Sequence, residues 1–103
     1  MHLQTRIEEL YSRETTEFDE EYLRAFDELK AALNEGRIRA ADPDGSSLSV
    51  WRVNAWVKKG ILLGFRIGRV VEMLPNEFQF RDKHTFPVKQ IPASQNVRVV
   101  PGG

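Results

Sequence analysis

The fold is decided by residues 55–67, AWVKKGILLGFRI, which follow Asn54. Apolar side chains cover most of the circumference of a helix built on this stretch, which predicts a central, largely buried helix. Asn54 is a favourable N-cap for it. Gly60, Gly64 and Gly68 recur every four residues, although an interior glycine costs about 1 kcal/mol relative to alanine. We therefore predict that another backbone approaches closely along the glycine face.

Two amphipathic helices are predicted before this stretch. The first follows from an apolar stripe at i, i+4, i+7 and i+8, which consists of Leu3, Ile7, Leu10 and Tyr11. The second follows Asp19, a preferred N-cap residue. Its stripe at i, i+4, i+7 and i+11 consists of Tyr22, Phe26, Leu29 and Leu33. Gly36 suits the left-handed position just after a helix end.

A β-hairpin is predicted between the second and third helices. Residues 37–40 and 48–53 have the composition of strands, and they flank DPDG at 42–45, in which proline presets φ and glycine permits a positive φ.

After the third helix, residues 74–76 predict a turn, and residues 78–81 and 97–100 predict short strands. Pro87 and Pro92 keep the chain between those strands irregular or extended. The expectation is therefore an α+β fold in one small, mostly helical domain over residues 1–103: two amphipathic helices, a β-hairpin, a buried third helix and short carboxy-terminal strands.

Composition narrows the classes of function. The 103 residues include no cysteine, which excludes disulfides, a thiol nucleophile and cysteine-based metal sites, and is compatible with a reducing cytoplasm. The first residues lack the pattern of a secretory signal. The longest apolar run, around residues 61–63, is far shorter than the ~20 residues of a membrane span. We therefore expect a cytoplasmic protein with no membrane partner.

Charge is distributed unevenly along the chain. Residues 1–35 hold ten acidic and four basic residues, and the remainder balances them to a net charge of zero. One interpretation is two solvated faces that attract each other; the other is a basic half that faces an anionic ligand. Nucleic acid is not expected as a partner, because the domain has no overall basic excess.

No catalytic residue and no metal site is predicted from the residues themselves. His84 lies in a polar stretch typical of an exposed loop. Lys59 and Arg66 lie seven residues apart, near one face of the third helix. These two cations and Lys58 either extend from a buried helix to water or contact carboxylates of a ligand or partner chain. Arg98 is either an edge-strand charge that faces solvent or an arginine held to bind a carboxylate.

Four stretches resemble one protein family. Residues 51–67, WRVNAWVKKGILLGFRI, resemble the tryptophan-rich, Lys-Lys-containing helix of tetrahydrodipicolinate N-succinyltransferases. Residues 33–41 are similar to the helix end and strand before it. Residues 80–89 resemble its aromatic-x-Asp-Lys and Pro-x-Lys segments, with extra residues between them. Residues 97–101 resemble the F-R-V-V-P that leads into the catalytic domain, with Val97 in place of the usual phenylalanine.

The resemblance implies the amino-terminal domain of an acyltransferase. That family succinylates tetrahydrodipicolinate with succinyl-coenzyme A in bacterial lysine and diaminopimelate biosynthesis, as a homotrimer. Its left-handed β-helix domain, with the catalytic acids and the coenzyme groove, is absent from this sequence. This chain alone is therefore expected to be inactive and to bind no cofactor, succinyl-coenzyme A being the co-substrate of the complete enzyme. Arg98 matches the family's dicarboxylate-binding arginine. The alternative is a stand-alone, non-catalytic interaction module with the same fold.

Overall fold

The central helix is α3, Ala55–Ile67, in a computed structural model that describes residues 2–45, 49–73 and 80–100. Helices α1 (Leu3–Ser12) and α2 (Glu20–Asn34) both pack against α3 and against each other. Two separate two-stranded antiparallel sheets accompany the three helices. The three predicted helices and the α+β class are confirmed.

The core is formed by the apolar stripes of the three helices. Its buried side chains are Ile7, Leu10, Tyr22, Ala25, Phe26, Leu29, Leu63 and Ile67. A Cβ atom at Gly60 would collide with the side chain of Leu29, and one at Gly64 would collide with the ring of Phe26. The predicted close approach at these glycines is confirmed, but its partner was predicted wrongly, because side chains of α2 fill the space rather than another backbone.

One face of α3 is less buried than predicted. Leu62 and Phe65 are 41% and 44% exposed, and Phe65 stacks on Phe86 with 4.3 Å between ring centroids. Helices α1 and α2 cover the glycine side of α3 and leave this side to solvent. The prediction of a largely buried helix is therefore wrong for the outer face, which is apolar and partly open.

Both ends of α2 follow from local sequence. The carboxylate of Asp19 accepts a hydrogen bond from the amide of Glu21 at 3.0 Å, as an N-cap does. At the other end Gly36 has φ of +76°, and the amide of Arg37 donates to the carbonyl of Ala32 at 2.9 Å. This is the Schellman arrangement, in which a glycine permits the left-handed turn that satisfies the last carbonyls of a helix.

The first hairpin pairs β1 (Ala41–Pro43) with β2 (Trp51–Val53). The prediction of a strand over residues 37–40 is wrong. The amides of the two residues after Gly36 both donate to the carbonyl of Ala32, so the end of α2 occupies the segment that was expected to be extended. The strand begins only after this turn.

The rest of the predicted hairpin is partly confirmed. Residues 51–53 of the predicted return strand 48–53 do form β2, whereas Ser49 and Val50 lie outside it and residue 48 lies outside the described part of the chain. The turn was predicted too early, because Asp42 and Pro43 belong to β1, while Gly45 has φ of +70°.

Asn54 precedes α3 but does not cap it with its side chain. Its Nδ2 donates to the carbonyl of Arg39 at 2.8 Å and to Oδ2 of Asp42 at 2.7 Å. The backbone carbonyl of Asn54 accepts from the amide of Val57 at 3.0 Å. The predicted side-chain cap is therefore wrong, because the amide group of Asn54 is used to hold the hairpin against the start of α3.

The second hairpin pairs β3 (Val70–Met73) with β4 (Phe80–Lys83), with Val70 opposite Lys83. The strand predicted over residues 78–81 is confirmed for 80 and 81 and continues to 83. Residues 78 and 79 and the predicted turn at 74–76 lie outside the described residues.

Thr85 connects the second hairpin to the helices. Its hydroxyl donates to the carbonyl of Gly64 in α3 at 2.8 Å, and its own carbonyl accepts from Nζ of Lys30 in α2 at 3.0 Å. Thr85 is buried. A single residue in the turn after β4 therefore makes a polar contact with each of two core helices.

Candidate functional site

Arg98 lies in the exposed segment 87–100, which contains a short 3-10 helix, Ala93–Gln95, and no strand. The irregular chain predicted from Pro87 and Pro92 is confirmed. The strand predicted over residues 97–100 is wrong: Val97 and Val99 are 56% and 65% exposed, and the two described sheets each contain only two strands, which pair with each other. An isolated segment has no ladder partner and so forms no strand.

The side chain of Arg98 is exposed, and no hydrogen bond or ion pair to it is found within residues 2–45, 49–73 and 80–100. Asn96, two residues before Arg98, adopts the left-handed conformation with φ of 53°. Because the Arg98 side chain is exposed, its guanidinium is accessible to a ligand. Its role in binding a dicarboxylate stays a prediction.

Lys59 and Arg66 of α3 lie against the end of α1. Nη1 of Arg66 donates to the carbonyl of Tyr11 at 3.2 Å, and its guanidinium carbon is 4.6 Å from the centroid of the Tyr11 ring. Nζ of Lys59 is 6.0 Å from the same centroid, so the prediction that these two cations share a face is confirmed. α1 has no basic residue in its last turn, and Arg66 supplies positive charge where the helix dipole favours it. Lys58 is exposed and on a different face.

The ion pairs seen in the described residues lie mostly within the acidic half. Arg6 binds Glu28 at 2.6 Å between α1 and α2, and Arg13 binds Glu9 at 2.8 Å and Glu21 at 3.4 Å. The hydrogen bond to Glu9 is the largest cause of a raised pKa for Arg13. Among the described residues, the ion pair between Arg37 and Glu35 joins the two halves, and the pair between Arg52 and Asp42 lies within the basic half. The basic half is therefore not neutralised by ion pairs with the acidic half.

His84 lies directly after β4 and is half-buried, so the prediction of an exposed loop is only partly right. Its amide donates to the carbonyl of Arg69 at 2.8 Å, and its Nδ1 accepts from the amide of Arg69 at 2.8 Å. The imidazole thus extends the hairpin by one pair beyond Val70 and Lys83. Sequence reasoning missed this pairing, because the two residues lie 15 positions apart and only the strand register brings them together.

A cleft of about 340 Å³ opens beside this pair. Its lining consists of Thr16, Phe18, Leu23, Ile67, Arg69 and His84. These residues come from the α1–α2 loop, α2, the end of α3 and the second hairpin. No spacing in the sequence indicated that these segments would meet.

Two features are absent from the residues that the structure describes. No cluster of three or more His, Asp or Glu side chains there could hold a metal ion. None of the helices has both the length and the apolar character needed to cross a membrane.

Three helices around one core, with two small hairpins and a set of exposed cations, define the chain as a small helical α+β domain. A family model described as the amino-terminal part of tetrahydrodipicolinate N-succinyltransferase matches residues 2–67, which end with α3. The chain belongs to this family.

Individual relatives extend the similarity beyond α3. The 2,3,4,5-tetrahydropyridine-2,6-dicarboxylate N-succinyltransferase of Delftia acidovorans is 38% identical in an alignment of 88 residues, which covers 79% of this chain and 30% of that protein. The protein of the same name from Herminiimonas arsenicoxydans is 46% identical over 54 residues, 52% of this chain and 19% of that protein. The relative from Acidovorax sp. is 34% identical in an alignment of 85 residues, which covers 79% of this chain and 30% of that protein. The chain thus spans less than a third of the length of these relatives.

Proposed function

We propose that this chain is the amino-terminal domain, residues 1–103, of an enzyme that succinylates tetrahydrodipicolinate with succinyl-coenzyme A. The observation that carries the proposal is the match of residues 2–67 to the amino-terminal model of that family. It is supported by 38% identity over 79% of the chain to a relative that bears the enzyme's name. The same proposal places the protein in lysine and diaminopimelate biosynthesis, in the cytoplasm, as a homotrimer when complete.

Within this proposal the domain binds substrate and supports assembly, while the acyl transfer takes place elsewhere. Water adds across the ring C=N bond of tetrahydrodipicolinate and turns its nitrogen into an amine. This amine attacks the thioester carbonyl of succinyl-coenzyme A, the thiol of coenzyme A leaves, and a general base removes the amine proton. The C–N bond of the hydrated ring then breaks, which leaves a ketone at the carbon that took up water. The chain itself contributes no group to this step and holds no cofactor. Its contribution is Arg98, whose exposed guanidinium is suited to a bidentate contact with one carboxylate of the substrate.

A chimera tests the domain assignment. Residues 1–103 of this chain replace the corresponding amino-terminal segment of the Delftia acidovorans relative, so that the chimera includes Arg98. Release of the coenzyme A thiol is measured with succinyl-coenzyme A and tetrahydrodipicolinate. We expect activity from the chimera and none from this chain alone. Activity in this chain alone would overturn the division of roles, and a folded but inactive chimera would favour the non-catalytic interaction module.

The role of Arg98 is tested in the same chimera. Loss of a bidentate charged hydrogen bond costs about 1.5–3 kcal/mol, so Arg98→Ala should raise the KM for the dicarboxylate about 10- to 100-fold. The KM for succinyl-coenzyme A should change little. Arg81→Ala, which removes an exposed arginine from β4, is the matched control and should change neither. An equal rise in both KM values for Arg98→Ala would reject the assignment.

A further inference from the structure

We propose that the cleft between the α1–α2 loop, α2 and the second hairpin binds a small carboxylate with a short aliphatic chain. Its volume of about 340 Å³ lies at the small end of the range of ligand sites, about 300–1,000 Å³. The proposal concerns a different set of residues from Arg98 and does not rest on the proposed function.

One side of the cleft is apolar. Phe18 is half-buried and packs edge-on to Tyr22, with 5.2 Å between ring centroids. Ile67 is nearly buried at the end of α3, and Leu23 is 39% exposed. Leu23 is a large apolar side chain left open on an otherwise charged surface of α2, next to two apolar neighbours. An aliphatic chain of a few carbons would cover these three side chains and remove their surface from water.

The other side of the cleft donates hydrogen bonds. Nδ1 of His84 accepts from the amide of Arg69 at 2.8 Å, whereas its distance to the Arg69 carbonyl is 3.4 Å. The shorter contact makes Nδ1 the acceptor, so the neutral imidazole carries its proton on Nε2 and offers a donor there. Arg69 adds a guanidinium with no ion pair in the described part of the chain, and Thr16 adds a hydroxyl. The lining contains no carboxylate.

The walls of the cleft are held before any ligand arrives. Arg13 forms ion pairs with Glu9 of α1 and Glu21 of α2, one on each side of the α1–α2 loop. Within the loop, Oγ1 of Thr15 accepts a hydrogen bond from the amide of Glu17 at 3.0 Å. The opposite wall is fixed by two hydrogen bonds between Arg69 and His84, one between backbone groups and one from the Arg69 amide to Nδ1 of His84. A rigid site loses little conformational freedom on binding. The combination of fixed donors, one cation and an apolar wall selects a carboxylate with an aliphatic tail over an inorganic anion.

Titration of the ¹⁵N-labelled chain with hexanoate, followed by two-dimensional amide NMR, tests the proposal. We expect saturable shifts that are concentrated at Leu23, Arg69 and His84. Hexylammonium has the same tail with the opposite charge and should not shift these amides saturably; inorganic phosphate, an anion without a tail, should bind more weakly. Equal binding of hexylammonium, tighter binding of phosphate, or shifts spread evenly over the chain would overturn the proposal.

Variants locate the binding determinants. Arg69→Met keeps the aliphatic stem and removes the charge, and it should weaken hexanoate binding about five-fold or more, as expected for one charge-assisted hydrogen bond. Leu23→Ala should weaken it as well, while Arg81→Ala, outside the cleft lining, should not. The dispersion of each variant's spectrum reports whether it is folded. Equal effects of Arg69→Met and Arg81→Ala in folded proteins would show that only long-range charge is involved and would reject the site.

Discussion

The substitution Gly64→Ala isolates the contact that sets the distance between α3 and α2. An added Cβ would meet three atoms of one ring: Cε1 and Cζ of Phe26 in direct collision, and Cδ1 at 2.9 Å, where ordinary contacts begin near 3.4 Å. The ring cannot move away cheaply. Phe26 is 1% exposed, packs edge-on to Phe86 at 5.3 Å and lies 5.2 Å from Nζ of Lys30.

The magnitude follows from two opposing effects. Alanine in place of an interior glycine gains about 1 kcal/mol of helix propensity, whereas overfilling a packed core costs about 1–3 kcal/mol and occasionally more. Because the collision is severe and involves a confined ring, we take the upper end of that cost. We expect Gly64→Ala to lower the free energy of unfolding by about 1–2 kcal/mol, or about 4–16 °C in Tm for a domain of this size.

Urea unfolding followed by tryptophan fluorescence measures the change. Gly60→Ala is the matched comparison: there the nearest atoms belong to a methyl end of Leu29 and to Ile7, which can rotate, so the loss should be smaller. In Gly64→Ala combined with Phe26→Leu, the smaller side chain should relieve part of the strain, giving a favourable coupling between the two sites. A gain in stability for Gly64→Ala alone would refute the close approach, because only the propensity effect would then remain.

Two further substitutions test polar contacts at the hairpins. Thr85→Val removes the buried donor to the Gly64 carbonyl and should lower the free energy of unfolding in urea by about 1–3 kcal/mol. Thr85→Ser keeps the hydroxyl and should lose less; a larger loss for Thr85→Ser than for Thr85→Val would show that the methyl group matters more than the hydrogen bond. Asn54→Asp keeps a good capping residue but replaces the donor by a second carboxylate beside Asp42. The substitution should therefore reduce the hydrogen-exchange protection of the β1–β2 amides. Unchanged protection of these amides would contradict the role of Asn54 in holding the hairpin.

The helices were predictable because their signals are local. The stripe from Tyr22 to Leu33, the N-cap at Asp19 and the left-handed Gly36 each act within a few residues, and the structure reproduces all of them. The glycine face of α3 was predictable for the same reason, since helical periodicity alone puts Gly60 and Gly64 on one side.

The strands were less predictable because a strand needs a partner that lies elsewhere in the chain. Residues 97–100 alternate as a strand does, yet they pair with neither of the two described sheets. Asn54 has the right identity for a cap, but a hairpin carbonyl and a carboxylate compete for its amide group. The cleft beside His84 could not be predicted from the sequence, because it depends on the register of β3 and β4.

Thr85 has a consequence for the order in which parts of the molecule open. A two-stranded ribbon is at most marginally stable by itself in water, but the β3–β4 ribbon is tethered through Thr85 to both α2 and α3. Fluctuations that separate the ribbon from the helices must break both of these hydrogen bonds, so we expect ribbon and helices to open as one cooperative unit. Two residues later, from Pro87 onward, every described side chain is exposed. The boundary between the slowest and the fastest exchanging amides therefore falls within a few residues of a single threonine.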